Sequence, residues 1–332
     1  MKVALVILNW NGKHLLEKFL PSVIEHSADD AQIYVADNAS TDDSVAYLKQ
    51  HFPQIKCIQN TSNGGYAKGY NESLQGLSEE LFILMNSDIL TTQNWLKPII
   101  KEFITDKNLG AAQPKILDLK RKSHFEYAGA AGGFIDRLGY PFCRGRIFET
   151  LEEDHGQYDD VAPIFWASGA CLIIRNDLFW KVGALDELFF AHQEEIDLCW
   201  RIHGTGKTIK CIGKSTVYHL GGATLEQMNP QKTFLNFRNN LILLLKNVAG
   251  IQVWLLLFIR LCLDGIAAFK FLIEGKPAHF FAILRAHFNF YSKIFIVLKN
   301  RHNALKINKY CQINSIVWMY FVSKKKQYDE IF

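Results

Sequence analysis

From residue 3 to residue 116 the chain repeats one unit: a short apolar run, a polar cluster, then an amphipathic stretch. The apolar runs cover residues 3–8, 33–36, 55–58, 81–85 and 110–116. The first of them shows no polar alternation, which is how a strand buried on both faces reads. The stretches between them, about 14–25, up to 51, 66–77 and 94–104, read as helices, and Ser40-Thr41-Asp42-Asp43 supplies capping residues for the second. Strand–helix alternation with so short a unit predicts an α/β fold: a mostly parallel central sheet flanked by helices on both faces. Each run ends in polar residues: Asn9 through Gly12, then Asp37, then Asn63-Gly64-Gly65, then Asn86-Ser87-Asp88. Open α/β sheets bind ligands beyond the carboxyl ends of their strands, so these four clusters converge on one rim.

Beyond residue 118 the pattern blurs. Residues 118–160 mix glycines and charges and read as an irregular excursion holding a hairpin or small helices. Apolar character returns at 166–174. A short helix is expected over 177–182, a helix introduced by an acidic cluster over 194–203, and short strands over 208–212 and 215–218 around Gly213. Residues 241–273 are nearly apolar but carry Lys246, Arg260, Asp264 and Lys270. A membrane span asks for about twenty largely apolar residues, and a charge at mid-bilayer costs roughly 3 kcal/mol. One or two interfacial helices are therefore expected, with a buried helix pair as the alternative.

Charge separates the partner classes. The net charge is only +4, but residues 275–326 hold ten Lys or Arg and no Asp or Glu, in an aromatic-rich segment. A greasy and basic C-terminal quarter suits an anionic membrane surface, and no nucleic-acid partner is expected. The seven cysteines are odd in number, scattered and without a CxxC pair, which reads as reduced cytosolic thiols. The apolar part of the N-terminus is too short for a signal peptide and reads as the first core strand.

HExxH, EF-hand and GxSxG motifs are absent, and no GxGxxG follows the first strand. Gly206-Lys207-Thr208 looks like the end of a P-loop, but Arg201 stands where its first glycine belongs. What remains is a set of rim residues. Asp37 can accept from a base imide or a ribose hydroxyl, or simply cap a turn. Asn63-Gly64-Gly65 offers amides to a nucleotide, or makes a tight turn. Asp88 can hold Mg²⁺ or Mn²⁺ beside phosphates, since hard cations choose oxygen ligands, or cap a helix. Glu194, Glu195 and Asp197 sit in the first turn of their helix, where the dipole favours negative charge. Phe189, Phe190 and Trp200 make those surroundings partly apolar, and burial with mutual repulsion would keep one acid basic enough to take a proton. Residues 194 and 197 share a helical face and 195 points elsewhere. His219, before Leu220-Gly221-Gly222, is either a third metal ligand or a turn histidine.

Seven strings, LVILNWNG, VADNASTDDS, NGGYAKGYNESL, ILMNSDIL, WASGACLIIRNDLFWKVGALDELFF, EEIDLCWRIHGTG and VYHLGGAT, occur in this order over about residues 1–240. As an ordered set they resemble the inverting GT-A-fold glycosyltransferases of family 2, in particular the rhamnosyltransferase-like branch. The resemblance implies a catalytic domain over 1–240, with a nucleotide-binding half (1–117) and an acceptor-binding half (118–240). A helical, membrane-surface-associating region would cover 241–332. It implies that Asp37 recognises the nucleotide base, and that Asn9, Asn63, Gly64, Gly65, Asn86 and Asp88 line the nucleotide sugar. Asp88 is then the last acid of a shortened metal motif in which Asn86 replaces the first acid, and His219 helps ligate the Mg²⁺ or Mn²⁺. Glu195 occupies the catalytic-base position, usually an Asp, with Asp197 as alternative base or support and Glu194 as support. Ser168, Gly169, Ala170 and Trp200 fall on the acceptor side. The implied reaction transfers a sugar from a nucleoside-diphosphate donor to a hydroxyl of a glycan or lipid-linked acceptor, on a cytoplasmic protein peripheral to the inner face of the cell membrane. A sugar nucleotidyltransferase and a non-catalytic polysaccharide-binding scaffold are the competing classes.

Overall fold

A computed structural model describes residues 1–221, 229–301, 307 and 309–332. The end of the VYHLGGAT string, from Gly222, and the basic residue Lys306 lie outside the described residues. The N-terminal half runs β1 (Val3–Asn9), α1 (Lys13–Ser27), β2 (Gln32–Asp37), α2 (Ser44–His51), β3 (Lys56–Gln59), α3 (Gly65–Leu74), β4 (Leu81–Asn86), β5 (Ile89–Thr91), α4 (Leu96–Thr105) and β6 (Leu109–Asp118). Four short strands follow, β7 (Gly133–Ile135), β8 (Pro141–Cys143), β9 (Arg146–Ile147) and β10 (Thr150–Leu151), then β11 (Val161–Pro163), β12 (Cys171–Arg175), α5 (Asn176–Lys181), α6 (Glu194–His203) and β13 (Thr208–His219). Helices α7 (Pro230–Asn247), α8 (Gln252–Ile273), α9 (Pro277–Arg301) and α10 (Ile316–Phe321) complete the chain.

Among the described residues nine strands form the central sheet, in the order β11-β13-β6-β12-β4-β1-β2-β3, with β5 pairing β13. The stretch β4-β1-β2-β3 is parallel throughout, as the repeat unit predicts. Strand β12 enters antiparallel to both β4 and β6, so the sheet is mixed beyond the nucleotide half. Side chains alternate across each strand. In β1, Val3, Leu5 and Ile7 share a core with Leu16, Leu20 and Val23 of α1 and Ile99 and Phe103 of α4. Ala4 and Val6 face a second core that includes Tyr70 and Leu74 of α3. The two strands expected around Gly213 are one strand, β13, whose pairing with β6 slips between Ile212 and Thr216.

The excursion at 118–160 contains a small antiparallel sheet, β10-β9-β8-β7. Its turn between Cys143 and Arg146 is two residues long, with Gly145 at φ +91, a geometry that glycine meets without strain. The C-terminal segment returns to this sheet, where Phe332 stacks on Phe142 and the Ile316 amide donates to Asp136 at 2.9 Å.

The helical region divides in a way the apolar run over 241–273 does not reveal. Helix α7 passes through residue 240 without a break, and residues 241–247 are fully buried against the catalytic part. Helices α8 and α9 instead bury only Arg260, Asp264 and His279 among their polar residues. Arg260 and Asp264, 2.8 Å apart, are buried with Val253, Leu256, Leu257 and Ala268 along one stripe of α8. Trp254, Leu255, Phe258, Ile266, Phe269 and Ile273 of α8 are exposed, as are Phe281, Phe288 and Phe295 of α9. By length and composition α9 is also apolar enough to cross a membrane.

Candidate active site

The strand ends hold the donor-side residues. Asn9 and Asp37 are register partners at the ends of β1 and β2, and both are buried. Asn9 Nδ2 donates to Asp37 Oδ1 at 3.1 Å, and the Ser40 amide donates to Asp37 Oδ2 at 2.9 Å. Asn9 Oδ1 has no partner, and a Cβ at Gly12 would come within 2.5 Å of it. The loop after β3 is held by its own asparagines. Asn63 Oδ1 accepts from Asn38 Nδ2 (2.9 Å) and from the Gly65 amide (3.0 Å). Gly65, at φ +79, abuts the Phe190 carbonyl, so this loop is joined to the segment that leads into α6.

At the end of β4, Asp88 Oδ1 lies 3.0 Å from His219 Nε2, and Asn86 Nδ2 lies 3.4 Å from the same nitrogen. Strand β13 delivers His219 across the sheet from β5, with which it pairs. On the other side of the ring, Nδ1 is 3.3 Å from Glu126 Oε1, an ion-pair contact without hydrogen-bond alignment. Burial works against a charged imidazole, but Glu126 and Asp88 outweigh it and raise His219 to about 10. Burial alone would raise Asp88; His219 reverses that and lowers it. The Asp88 carboxylate suits Mn²⁺ or Mg²⁺, and the His219 imidazole would join it on giving up its Nε2 proton. Among the described residues no group of three or more His, Cys, Asp or Glu is disposed to hold an ion. A cation here would complete its shell with diphosphate oxygens and water, so the pair fits an ion that arrives with a nucleotide.

The acid turn lies next to this rim. The Asn86 amide donates to the Ala170 carbonyl at 3.0 Å, and a Cβ placed on Gly169 would stand 3.8 Å from Glu195 Cβ and 2.9 Å from the Tyr66 hydroxyl. Tyr66 Oη donates to the Gly169 carbonyl at 2.7 Å. Ser168 and Ala170 are buried, the Ser168 amide bound to Gln113 and its hydroxyl to the Ala170 amide. These three residues form the wall between β4 and α6, and glycine at 169 lets that wall approach the acid turn.

Three residues strain the chain just before α6: Phe190, His192 and Gln193 have φ of 65, 70 and 72. Helix α7 holds them there. Arg238 donates to the Phe189 carbonyl at 2.7 Å, and Asn239 Nδ2 donates to the carbonyls of Phe189, Ala191 and His192 at 3.1, 2.8 and 2.6 Å.

The three acids of α6 then differ sharply. Asp197 is fully buried and saturated: Arg201 Nε and Lys246 Nζ donate to Oδ2 at 2.9 Å each, and Asn247 Nδ2 to Oδ1 at 2.8 Å. Burial would raise it, but Arg201 and Lys246 hold it down at about 2. That carboxylate is a clamp, and the alternative of Asp197 as base is corrected on this ground. Glu194 is buried and pushed well up by burial and by Glu195. Glu195 is largely buried, carries a buried Oε2 without a partner, and is raised by burial to about 7. The expectation for Trp200 is also corrected: it is fully buried between Phe165 and Tyr310, on the core side of α6, and cannot meet an acceptor.

Sequence reasoning missed Glu126, Tyr66 and Gln193. Glu126 lies in the unpatterned excursion, where its only signal is an acid within an otherwise aromatic and small-residue stretch. At the strand ends and the acid turn, Asn9 Oδ1, His192 Nε2, Gln193 Oε1, Glu194 Oε2 and Glu195 Oε2 are buried without hydrogen-bond partners, as are several atoms elsewhere, Ser215 Oγ and Asn289 Oδ1 among them. Native interiors leave few such atoms, so a concentration of them marks a place built for a ligand.

Comparison with known proteins agrees with this arrangement. The family model described as "Glycosyl transferase family 2" matches residues 4–183. An N-acetylglucosaminyl-diphospho-decaprenol L-rhamnosyltransferase of Mycobacterium tuberculosis (strain H37Rv) is 26% identical over 226 residues, 63% of this chain and 72% of that protein. Rhamnosyltransferase WbbL of Escherichia coli K12 is 24% identical over 61% of this chain and 78% of its own length. Among solved structures, GalNAc-T7 with UDP, GalNAc and Mn²⁺ aligns with TM-score 0.59 at 17% identity, over 74% of this chain and 48% of that one. Staphylococcus aureus TarS 1–349 with UDP-GlcNAc aligns with TM-score 0.54 at 15% identity, over 92% and 90%. These likenesses establish the GT-A fold, and the family match sets aside the nucleotidyltransferase and scaffold alternatives. The chain belongs to glycosyl transferase family 2, among its rhamnosyltransferase-like members, and is an inverting glycosyltransferase.

Proposed function

We propose that the protein transfers a sugar from a nucleoside-diphosphate donor to a lipid-linked glycan acceptor, with Glu195 as base and Mg²⁺ or Mn²⁺ held by Asp88 and His219. The observation that carries this reading is the contrast within α6: Glu195 keeps an unpartnered oxygen and a pKa of about 7, whereas Asp197 is fully engaged. A base works best with a pKa near the working pH. Asp37, with Asn9 beside it, would receive the nucleotide base, and the loop at Asn63, Gly64 and Gly65 would flank it. When bound, the cation neutralises charge on the departing diphosphate. Glu195 takes the proton of the acceptor hydroxyl, whose oxygen attacks the anomeric carbon opposite the nucleotide, so the configuration inverts in one displacement. The wall at Ser168, Gly169 and Ala170 sets how closely the sugar approaches Glu195, and Glu194, pushed well up by burial and by Glu195, supports the turn.

The exposed apolar faces of α8 and α9, flanked by Lys270, Lys276, Arg285, Lys293 and Lys299, support attachment to an anionic membrane, and hence a peripheral position at its cytoplasmic face. The names of the mycobacterial and enterobacterial relatives support a deoxyhexose such as rhamnose as the transferred sugar and a polyprenyl-diphosphate-linked acceptor. A panel of nucleotide sugars, with released nucleoside diphosphate measured with and without EDTA, tests this. One donor is expected to turn over only with Mg²⁺ or Mn²⁺ present. Equal turnover in EDTA overturns the metal assignment, and no turnover of any donor with lipid-linked acceptors overturns the substrate reading.

A further inference from the structure

Five arginines are buried among the described residues: Arg144, Arg146, Arg201, Arg238 and Arg260. Four of them have oxygen acceptors. Arg144 pairs with Asp160 and Arg201 with Asp197, each at 2.8 Å; Arg260 pairs with Asp264 at 2.8 Å; Arg238 donates to main-chain carbonyls. Arg146, only 6% exposed, has none. Among the described residues its contacts are the Cys143 sulfur, 3.5 Å from one terminal nitrogen, and the face of the Tyr127 ring, 4.6 Å from the guanidinium carbon; its Nε is unpartnered. A buried guanidinium without an anion is costly, and proteins seldom keep one unless something binds it.

Its position gives the partner. The two-residue turn at Arg144 and Gly145 fixes Arg146 opposite Cys143, on a strand that lies between β8 and β10 in the small sheet, in the half proposed to take the acceptor. Tyr127, which carries the guanidinium on its ring, follows Glu126, which touches His219. Cys143 feels the catalytic acids: burial pushes its thiol up, Arg146 pulls it down, and Glu126 and Glu195 push it up again. Lys232, at the start of α7, is a second cation without an ion pair among the described residues; burial depresses it, against Glu126 and Glu149. The Asp88–His219 pair already provides for the donor diphosphate on the opposite side of Glu126.

We propose that Arg146 is an anion subsite of the acceptor side, taking a phosphate or diphosphate oxygen of a lipid-linked acceptor while its sugar hydroxyl faces Glu195. The planar guanidinium offers the paired donors that such oxygens accept. The inference rests on the transferase reading above, but its test separates the two.

Calorimetry with octyl diphosphate, and separately with UDP, GDP and dTDP in Mn²⁺, is run on the full chain, on Arg146→Met and on Arg146→Lys. Octyl diphosphate is expected to bind the unaltered chain together with a nucleoside diphosphate, to weaken at least tenfold in R146M, and to weaken less in R146K. R146M is expected to melt no lower than the unaltered chain, because an unpaired buried cation is replaced by an apolar side chain of similar length. Octyl diphosphate that fails to bind, or binds R146M equally well, overturns the proposal, as does a lowered melting temperature with binding unchanged. Loss of nucleoside-diphosphate affinity in R146M, with octyl diphosphate competing for the same site, reassigns the arginine to the donor and overturns the acceptor assignment. If no nucleoside diphosphate binds but octyl diphosphate does so through Arg146, the donor reading fails and this one stands.

Discussion

The acid turn of α6 and the first helical turn behind it hold carboxylates only two residues apart, yet they serve opposite ends. Both carboxylate oxygens of Asp197 accept hydrogen bonds, and the cluster of Arg201, Lys246 and Asn247 joins α6 to α7. Around Glu195 the polar atoms have been left without partners, and the backbone leading there is strained. Saturation marks the frame and unsatisfied hydrogen bonding marks the site.

Four experiments press on that contrast. The largest effect is expected from Glu195→Gln, which keeps size and loses the base: turnover should fall about 10²- to 10⁴-fold with donor affinity unchanged. Measuring kcat and donor Kd together checks it, and a retained kcat would place the base elsewhere. Asp197→Asn should do the reverse, lowering stability by about 3–5 kcal/mol by stranding the buried Arg201 and leaving Lys246 with Asp186 alone, as read by denaturant unfolding. The pH dependence follows: Asp197 is held at about 2, below its ordinary 3.8, so its stabilisation is complete above pH 4 and is lost as pH falls toward 2 in the unaltered protein but not in D197N. At the membrane face, Phe258→Asp should cut sedimentation with anionic vesicles about 10- to 100-fold, on roughly 1.5–3 kcal/mol for the buried aromatic, while turnover of a water-soluble acceptor holds. Smallest is the pH profile of kcat/KM: since Glu195 must be ionised and titrates near 7, the rate should fall about tenfold per unit below that pH and level off above it. A flat profile between pH 5 and 8 would remove Glu195 from the role.

The parallel half of the fold could be read from the chain because each strand is a continuous apolar run bounded by turn residues, and a strand buried on both faces has no other way to look. The polar clusters at their ends were equally readable, and Asp37, Asp88 and His219 do meet the rim. The small sheet could not be read. Its strands are two or three residues long, too short for any period to register, and its core comes from aromatics spread between Phe125 and Phe142. Arg146 and Glu126 were lost with it. Trp200 was misplaced by nearness in sequence: five positions along a helix turn through 500°, which sets it well round the axis from Glu195. The greasy run over 241–273 concealed two environments, since composition does not distinguish a helix buried in protein from one facing outward.

Helix α7 also changes what a shortened protein would be. Its first half supplies the donors that hold the carbonyls of residues 189–192 in place, its last turn supplies the counter-ions of Asp197, and α8 and α9 pack along its flank. A chain cut near residue 229 to improve solubility is therefore not the catalyst freed of its anchor. It is a catalyst whose acid turn has lost its brace, and its residual rate would understate the native one.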